Sequence, residues 1–162
     1  MSLSKRKPDE DAARDPARVR TAALRLLARR EHSGQELSDK LTTRGYASEV
    51  VAAVTGALAD KHLLSDARFV QEFVAARVRR GSGPLKIRDE LRGRGVTAAL
   101  VEEAIAAHGD AWVTQAETAR RKRFGATAPK NFKERARQTR FLQQRGFSME
   151  HIRAALQGDV ED

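Results

Sequence analysis

The side chains in this sequence that could do chemistry are mainly lysines and arginines, and they are gathered in two segments. Residues 77–94 contain seven basic and two acidic residues, and residues 120–145 contain ten basic residues and one acidic residue. The segments carry net charges of +5 and +9, so the rest of the chain is acidic, because the total is +9. Such segregation favours a surface that binds a polyanion, most commonly nucleic acid. The alternative is that the charge only keeps the protein soluble.

Helical spacing places several of these cations on common faces. Lys133, Arg137 and Arg140 follow one another at i, i+4 and i+7, and Arg88 and Arg92 are i, i+4 neighbours. Like charges at this spacing destabilise a helix by about 0.2–0.5 kcal/mol per pair, which suggests that the positive field is used. The candidate binding residues are Arg79, Arg80, Lys86, Arg88, Arg92, Arg121, Lys122, Arg123, Lys133, Arg137 and Arg140.

Catalytic chemistry has little support in the sequence. There is no cysteine, which excludes thiol catalysis, disulfides and thiolate–metal sites. No nucleotide-binding loop or serine nucleophile motif occurs, and adjacent carboxylates such as Glu102 and Glu103 point apart on a helix. The four histidines are not at metal-ligand spacing and are interpreted as surface or helix-end residues: His32, His62, His108 and His151. We therefore expect a non-enzymatic protein without a metal site.

The chain shows neither a membrane span nor a secretion signal. Its apolar stretches fall far short of the roughly 20 residues that cross a bilayer. Residues 1–15 mix basic and acidic side chains and lack an apolar core segment, so we interpret them as a disordered tail rather than a signal peptide. These features, with the absence of cysteine, predict a cytoplasmic protein.

An internal repeat organises the rest of the chain. The motif L-x-x-R-G-apolar occurs at residues 41–46 (LTTRGY), 91–96 (LRGRGV) and 142–147 (LQQRGF), with glycines spaced by 50 and 51 residues. Arginine near a helix C-terminus complements the helix dipole, and glycine adopts the left-handed conformation that ends the helix. Each motif therefore predicts a helix, a tight turn and a second helix.

Capping residues predict where the helices begin. The predicted N-caps of the helices after the three glycines are Ser48, Thr97 and Ser148. Asp15-Pro16 opens the first helix, Ser65 caps the helix near 66–80, and Gly83-Pro84 opens the next one. Ser33 with Glu36 and Asn131 with Glu134 resemble capping boxes.

The sequence thus predicts an all-α fold of three tandem three-helix repeats, about nine helices in all. The predicted segments are a tail (1–15), repeat one (16–63), repeat two (64–109), repeat three (110–158) and a C-terminal tail (159–162). We expect the repeats to stack into an elongated array that can curve; a single compact bundle is the alternative. Phe69, Phe73, Phe132 and Phe147 are predicted core residues. Gln138 departs from the apolar residues at the equivalent positions, so repeat three is expected to pack differently.

These motifs also carry a family likeness. Residues 31–37 (EHSGQEL), 64–70 (LSDARFV) and 140–147 (RFLQQRGF) resemble successive parts of the RecX regulators of the RecA recombinase. The stretch from 79–84 (RRGSGP) through 87–91 (IRDEL) to 94–96 (RGV) is the most specific. The likeness covers roughly residues 17–157.

The resemblance implies a function that the charge pattern alone does not specify. RecX proteins are cytoplasmic bacterial regulators built from three-helix units, which bind the RecA–DNA filament and inhibit ATP hydrolysis and strand exchange without a cofactor. They also have affinity for DNA, single- or double-stranded, without sequence preference. We expect a monomer that acts away from membranes. Two other hypotheses remain open: a stand-alone DNA-binding module, and a helical adaptor for an acidic protein.

Overall fold

The computed structural model describes residues 6–157, which form two compact units and contain helices but no strands. Unit 1 comprises the described residues up to Val70 together with Arg94–Val96, and unit 2 comprises Gln71–Gly93 and the described residues from Thr97 onward. The helices are α1 (Glu10–Ala13), α2 (Pro16–Leu27), α3 (Gly34–Thr43), α4 (Ser48–Asp60), α5 (Asp66–Arg79), α6 (Pro84–Arg92), α7 (Ala98–Ala106), α8 (Ala111–Phe124), α9 (Phe132–Arg145) and α10 (Met149–Leu156).

The all-helical fold class is confirmed, and α2–α10 correspond to the nine predicted helices. Residues 1–5 of the predicted N-terminal tail and the predicted C-terminal tail, 159–162, lie outside the described residues. None of the helices between residues 6 and 157 has both the length and the apolar character that crossing a bilayer requires.

Most helices begin where the capping residues predict. Asp15 accepts the Ala17 N–H at 3.0 Å, and Pro16 is the first residue of α2. Side-chain oxygens also accept backbone N–H groups at the starts of α3, α5, α7, α9 and α10, from Ser33, Ser65, Thr97, Asn131 and Ser148. The prediction for Ser48 is wrong, because Ala47 is the N-cap of α4. The Ala47 N–H donates to the Ala13 carbonyl at 2.9 Å, so a contact with α1 fixes the start of this helix.

The repeated turns have the geometry that the glycines predict. Gly45, Gly95 and Gly146 have φ angles of +104°, +72° and +93°, in the left-handed region. In repeats one and three, the N–H of the apolar residue after the glycine donates to the carbonyl of the motif leucine, at 3.2 and 3.1 Å. This is the hydrogen bond of a Schellman-type helix end.

Unit 1 has its core between α2, α3 and α4. Apolar side chains from all three helices are buried there, among them Val19, Ala23, Leu37, Leu41 and Leu58. Polar contacts attach the later segments of the unit to the start of α3. The Gly34 N–H donates to Asp66 at 2.8 Å, and the Ser33 hydroxyl donates to the Arg94 carbonyl at 2.9 Å.

The N-terminal segment differs from the disordered tail that the sequence predicts. Helix α1 begins after Asp9, whose carboxylate accepts the Ala12 N–H at 2.8 Å. Ala12 and Ala13 are buried, and Ala13 accepts the hydrogen bond from Ala47. The prediction is therefore wrong for residues 9–15: two small apolar residues among charges are enough to dock one helical turn.

Unit 2 combines most of repeat two with repeat three. Helix α8 packs against α10, and the Trp112 indole N–H donates to the Ile105 carbonyl at 3.1 Å. The start of α6 lies on the turn between α9 and α10: the Gly83 N–H donates to the Arg145 carbonyl at 2.7 Å, and the Leu85 N–H to the Gly146 carbonyl at 2.9 Å. These contacts hold the end of α9 beside the segment that follows α5.

Two residues of α9 show how repeat three departs from the others. Phe69 and Phe147 are buried as predicted, but Phe132 is 85% exposed, so its assignment to the core is wrong. It is the first residue of α9, six residues before the buried Gln138 and thus about 120° away around the helix. Gln138 lies at the inward position four residues before buried Leu142, and its Oε1 has no hydrogen-bond partner within the described residues.

Candidate nucleic-acid interface

The ends of α5, α8 and α9 line a cleft in unit 2 that we call the basic cleft. Its basic residues are Arg79, Arg80, Lys122, Arg123 and Arg145, and its other lining residues are Val78, Gly81, Gln115, Thr118, Ala119 and Phe141. The cleft has a volume of about 320 Å³, and none of its lining residues is acidic. Clustered cations without carboxylates produce a local positive potential that attracts anions.

One cation of the cleft, Arg145, is held by short-range contacts. Helix α5 ends at Arg79, and Gly81, with φ of +83°, turns the chain toward α6. The Arg145 guanidinium donates to the Arg80 carbonyl at 3.3 Å and lies 5.2 Å from the centre of the Phe141 ring. This geometry is typical of a cation–π contact, and it fixes Arg145 beside the end of α5.

At the end of α8, a buried arginine orders the loop that follows the helix. Arg120 is only 2% exposed and donates to the carbonyls of Gly125 and Thr127 at 3.5 and 3.3 Å. No carboxylate lies within 4.0 Å of it in the described part of the chain. Its positive charge therefore adds to the field at this end of α8, which also carries Lys122 and Arg123.

The structure brings together four of the eleven candidates in the basic cleft: Arg79, Arg80, Lys122 and Arg123. Sequence reasoning missed Arg145, which we interpreted only as a helix-end residue of the repeat motif. The available signal was that Arg145 is the last cation of the basic segment 120–145.

Three other candidates form ion pairs. The pairs are Arg88–Glu102 at 2.6 Å, Arg92–Asp89 at 3.2 Å and Arg121–Glu117 at 2.6 Å. The hydrogen bonds between Arg88 and Glu102 raise the pKa of the guanidinium and lower the pKa of the carboxyl. Because a carboxylate already occupies part of each guanidinium, these residues are weaker candidates for binding a polyanion than those of the cleft.

The remaining candidates are exposed but do not line the basic cleft. They are Lys86 on α6 and Lys133, Arg137 and Arg140 on α9. None of the four pairs with a carboxylate of the described residues. Arg137 lies 5.5 Å from the Phe124 ring centre and lines a separate pocket of about 260 Å³. The structure thus groups four of the candidates in the basic cleft and places the other seven elsewhere in unit 2.

One histidine differs from the surface or helix-end position that we predicted. His32 is buried in unit 1, with Nδ1 3.0 Å from the Arg30 carbonyl and Nε2 3.0 Å from the Lys40 ammonium. Because the ammonium can only donate, Nε2 accepts and Nδ1 carries the proton. Burial lowers the pKa of His32, and the charges of Arg30 and Lys40 lower it further. The His32 ring is a structural residue of unit 1.

Beside His32, Glu36 is the centre of an ion-pair cluster. It accepts hydrogen bonds from Arg30 and lies 3.5 Å from Lys40 and 3.8 Å from Arg94. Burial alone raises the pKa of this carboxyl, but the hydrogen bond and charge of Arg30, with the other nearby cations, outweigh burial and lower the pKa to about 2. Across residues 6–157, no group of three or more His, Asp and Glu side chains is arranged to hold a metal ion.

The arrangement of the helices and of the cleft defines an all-helical repeat protein with a cleft lined by basic residues. Family models match it three times in order: the first three-helix domain of RecX over residues 20–56, the second over 65–105 and the third over 113–156. These matches confirm the prediction of three tandem three-helix repeats.

Similar proteins agree with these matches. The chain is 46% identical over 144 residues to the regulatory protein RecX of Halorhodospira halophila, covering 89% of both chains. It is 43% identical over 145 residues to that of Pseudomonas fluorescens, covering 89% of this chain and 94% of the relative. The crystal structure of RecX from Lactobacillus salivarius shares the fold with a TM-score of 0.76 at 20% identity, over 91% of this chain and 96% of that one. The chain belongs to the RecX family of regulatory proteins, which confirms the resemblance seen in its motifs.

Proposed function

We propose that this regulator binds the RecA recombinase–DNA filament and lowers its ATPase and recombinase activity. It acts in the cytoplasm as a monomer, without a cofactor and away from membranes. Membership of the RecX family supports RecA as the partner. The observation that carries the proposal is the basic cleft, whose five cations have no acidic residue among the lining side chains.

The cleft suits the phosphate backbone of the DNA in such a filament. Guanidinium groups bind phosphate oxygens through paired hydrogen bonds, and they do so without reading the bases. The contact is therefore independent of sequence and available on single- and double-stranded DNA. RecA would then determine where the protein binds, and the cleft would supply part of the affinity.

A titration of RecA ATPase activity on single-stranded DNA tests the proposal. The wild type is compared with a cleft variant, Arg79→Gln/Lys122→Gln/Arg123→Gln, and with a cleft control that removes three exposed cations elsewhere, Arg18→Gln/Lys61→Gln/Arg153→Gln. We expect the cleft variant to need at least about tenfold more protein for half-inhibition, because losing even one of the three charge-assisted contacts costs about 1.5–3 kcal/mol and about 1.4 kcal/mol corresponds to a factor of ten. The control keeps the wild-type potency.

The titration has two informative failures. Unchanged ATP hydrolysis and unchanged filament length with the wild type would count against regulation of RecA. Equal potency of the cleft variant and the cleft control would instead leave regulation in place and remove the cleft from the mechanism.

The basic cleft also fits a second function, a stand-alone DNA-binding module that does not involve RecA. Competition between RecA-coated and bare strands separates the two, since the module shows no preference for the coated strand. Negligible DNA affinity even at low salt would instead favour an adaptor for an acidic protein.

The exposed cations of α9 are tested separately. Arg137→Glu with Arg140→Glu should weaken binding to the filament while leaving the helical circular dichroism signal unchanged, because both side chains are exposed. Loss of the helical signal would show that these arginines stabilise the fold instead.

A further inference from the structure

The docking of α1 has a consequence for the residues that precede it. Pro8 Cδ lies 3.3 Å from the position that a Cβ on Gly45 would occupy, and Ala13 accepts the Ala47 N–H. The chain is thus attached at two places to the turn between α3 and α4. These contacts place Arg6 and Lys7 against unit 1.

The result is a second concave basic surface, which we call the N-terminal basic pocket. Its basic residues are Arg6, Lys7, Arg25, Arg29 and Arg44, and its other lining residues are Pro8, Ala22, Leu26, Thr43 and Tyr46. The pocket has a volume of about 620 Å³ and, like the basic cleft, includes no acidic residue in its lining. None of its five cations forms an ion pair with another described residue.

The arrangement of these cations is unfavourable for unit 1 by itself. Arg25 lies in the last turn of α2, and Arg29 lies in the turn that follows the helix. Both line the pocket, and like charges brought together on one surface repel each other. Arg44, at the end of α3, and the two cations of the N-terminal segment add to the same concave surface. A bound polyanion would relieve this repulsion, because several phosphates can contact the five cations at once.

The lining also matches the other parts of a nucleotide chain. Arginine and lysine together supply bidentate and point-charge donors for phosphate oxygens. Ala22, Leu26 and Tyr46 form an apolar side of the pocket, against which a sugar or a base can pack. A small inorganic anion would leave most of this volume empty.

We propose that the N-terminal basic pocket binds the phosphodiester backbone of single-stranded nucleic acid, as a site in unit 1 additional to the basic cleft of unit 2. The inference rests on the proposed function for the choice of nucleic acid as the polyanion. Residues 6–8 are part of the site, since α1 holds two of its cations in place.

The test is the salt dependence of binding to a labelled oligothymidylate, measured by fluorescence anisotropy with the full chain. The pocket variant is Arg25→Gln/Arg29→Gln, and the pocket control is Arg18→Gln/Lys61→Gln, which removes two exposed cations of unit 1 outside the pocket. Each phosphate contact on a single strand contributes about 0.7 to the slope of log K against log salt. The slope is negative, and we expect the pocket variant, which lacks two such contacts, to make it shallower by about 1.4. The pocket control should leave the slope unchanged.

A second variant guards against an effect on folding. Arg6→Gln/Lys7→Gln lies outside every helix, so a loss of affinity there comes without a change in helix stability. Slopes of both variants equal to that of the pocket control would overturn the inference.

The same measurements separate this inference from the proposed function. If the cleft variant loses inhibition of RecA while the pocket variants bind oligothymidylate like their control, the second site is wrong and the proposed function stands. If the pocket variants lose binding while the wild type leaves RecA unaffected, the pocket is a nucleic-acid site and the proposed function fails.

Sodium pyrophosphate distinguishes nucleic acid from a free phosphate compound. It should displace the oligothymidylate only at high concentration, because it offers few of the contacts that a chain of phosphates makes. Saturable pyrophosphate binding that Arg25→Gln/Arg29→Gln abolishes, together with unchanged oligothymidylate binding, would overturn the assignment to nucleic acid.

Discussion

Replacing Gly83 with alanine tests the contact that holds the end of α9 beside the end of α5. A Cβ at this position would lie 2.4 Å from the Gly146 carbonyl carbon and 2.4 Å from the Phe147 nitrogen. Both are backbone atoms, so no side-chain rotation can relieve the overlap. The φ of Gly83 is −89°, which any residue adopts, and the substitution therefore measures the steric contact alone.

The expected loss of stability follows from the backbone contact between the start of α6 and the turn after α9. The overlap forces apart the two backbone hydrogen bonds of this contact, Gly83 to Arg145 at 2.7 Å and Leu85 to Gly146 at 2.9 Å. These are worth about 1 kcal/mol net each, and overpacking adds about 1–3 kcal/mol. We expect Gly83→Ala to lower the free energy of unfolding by about 3–5 kcal/mol and the Tm by about 6–20 °C in a chain of this size.

Gly93→Ala is the matched control. Gly93 has φ of −92°, and no atom lies within 4 Å of the position of its Cβ. Its Tm should therefore stay close to that of the wild type. Urea and thermal unfolding followed by circular dichroism measure both variants. If Gly83→Ala unfolds at the same midpoint as Gly93→Ala, α6 does not press on this turn, and the account of how Arg145 reaches the basic cleft is wrong.

Three further changes test other parts of the fold. Gly95→Val should destabilise by ~1 kcal/mol or more, because φ is +72° and a Cβ would lie 2.4 Å from the Gln35 Cβ; a thermal melt like that of the wild type would contradict this. Gly56→Ala, inside α4 with open space around it, should stabilise by about 0.5–1 kcal/mol, and a lower urea midpoint would oppose the prediction. Glu36 has its pKa lowered from 4.5 to about 2, so its stabilisation is present above pH 4.5 and is lost as pH falls toward 2. Thermal melts of wild type and Glu36→Gln at a series of pH values should therefore show a stability difference that shrinks as pH falls from 4.5 toward 2. A difference independent of pH would argue against the Arg30 ion pair.

Local chemistry made much of the fold predictable from the sequence. A glycine with positive φ, as at Gly146, ends a helix, and two residues later the Ser148 hydroxyl accepts the His151 N–H in the first turn of the next helix. Both effects depend on atoms within a few residues of each other along the chain. The all-helical class and the three repeats followed from such patterns.

Tertiary structure decided which cations share a site. Arg79 and Lys122 belong to different basic segments, and only the packing of α5, α8 and α9 makes them line one cleft with Arg145. Arg88 was as good a candidate by spacing, yet the fold places Glu102 against it. Periodicity specifies the face of a helix on which a side chain lies, but the residue facing it belongs to another helix.

The N-terminal segment is the clearest case of this division. Its composition is typical of a solvated tail, except for two adjacent alanines, Ala12 and Ala13, which are buried. This short apolar turn packs against the start of α4, where the Ala47 N–H donates to the Ala13 carbonyl. Because of this contact, Arg6 and Lys7 lie beside α2. The sequence determined where helices begin and end because those signals are local. The neighbours of each charge were decided by the tertiary structure, because they come from distant parts of the chain.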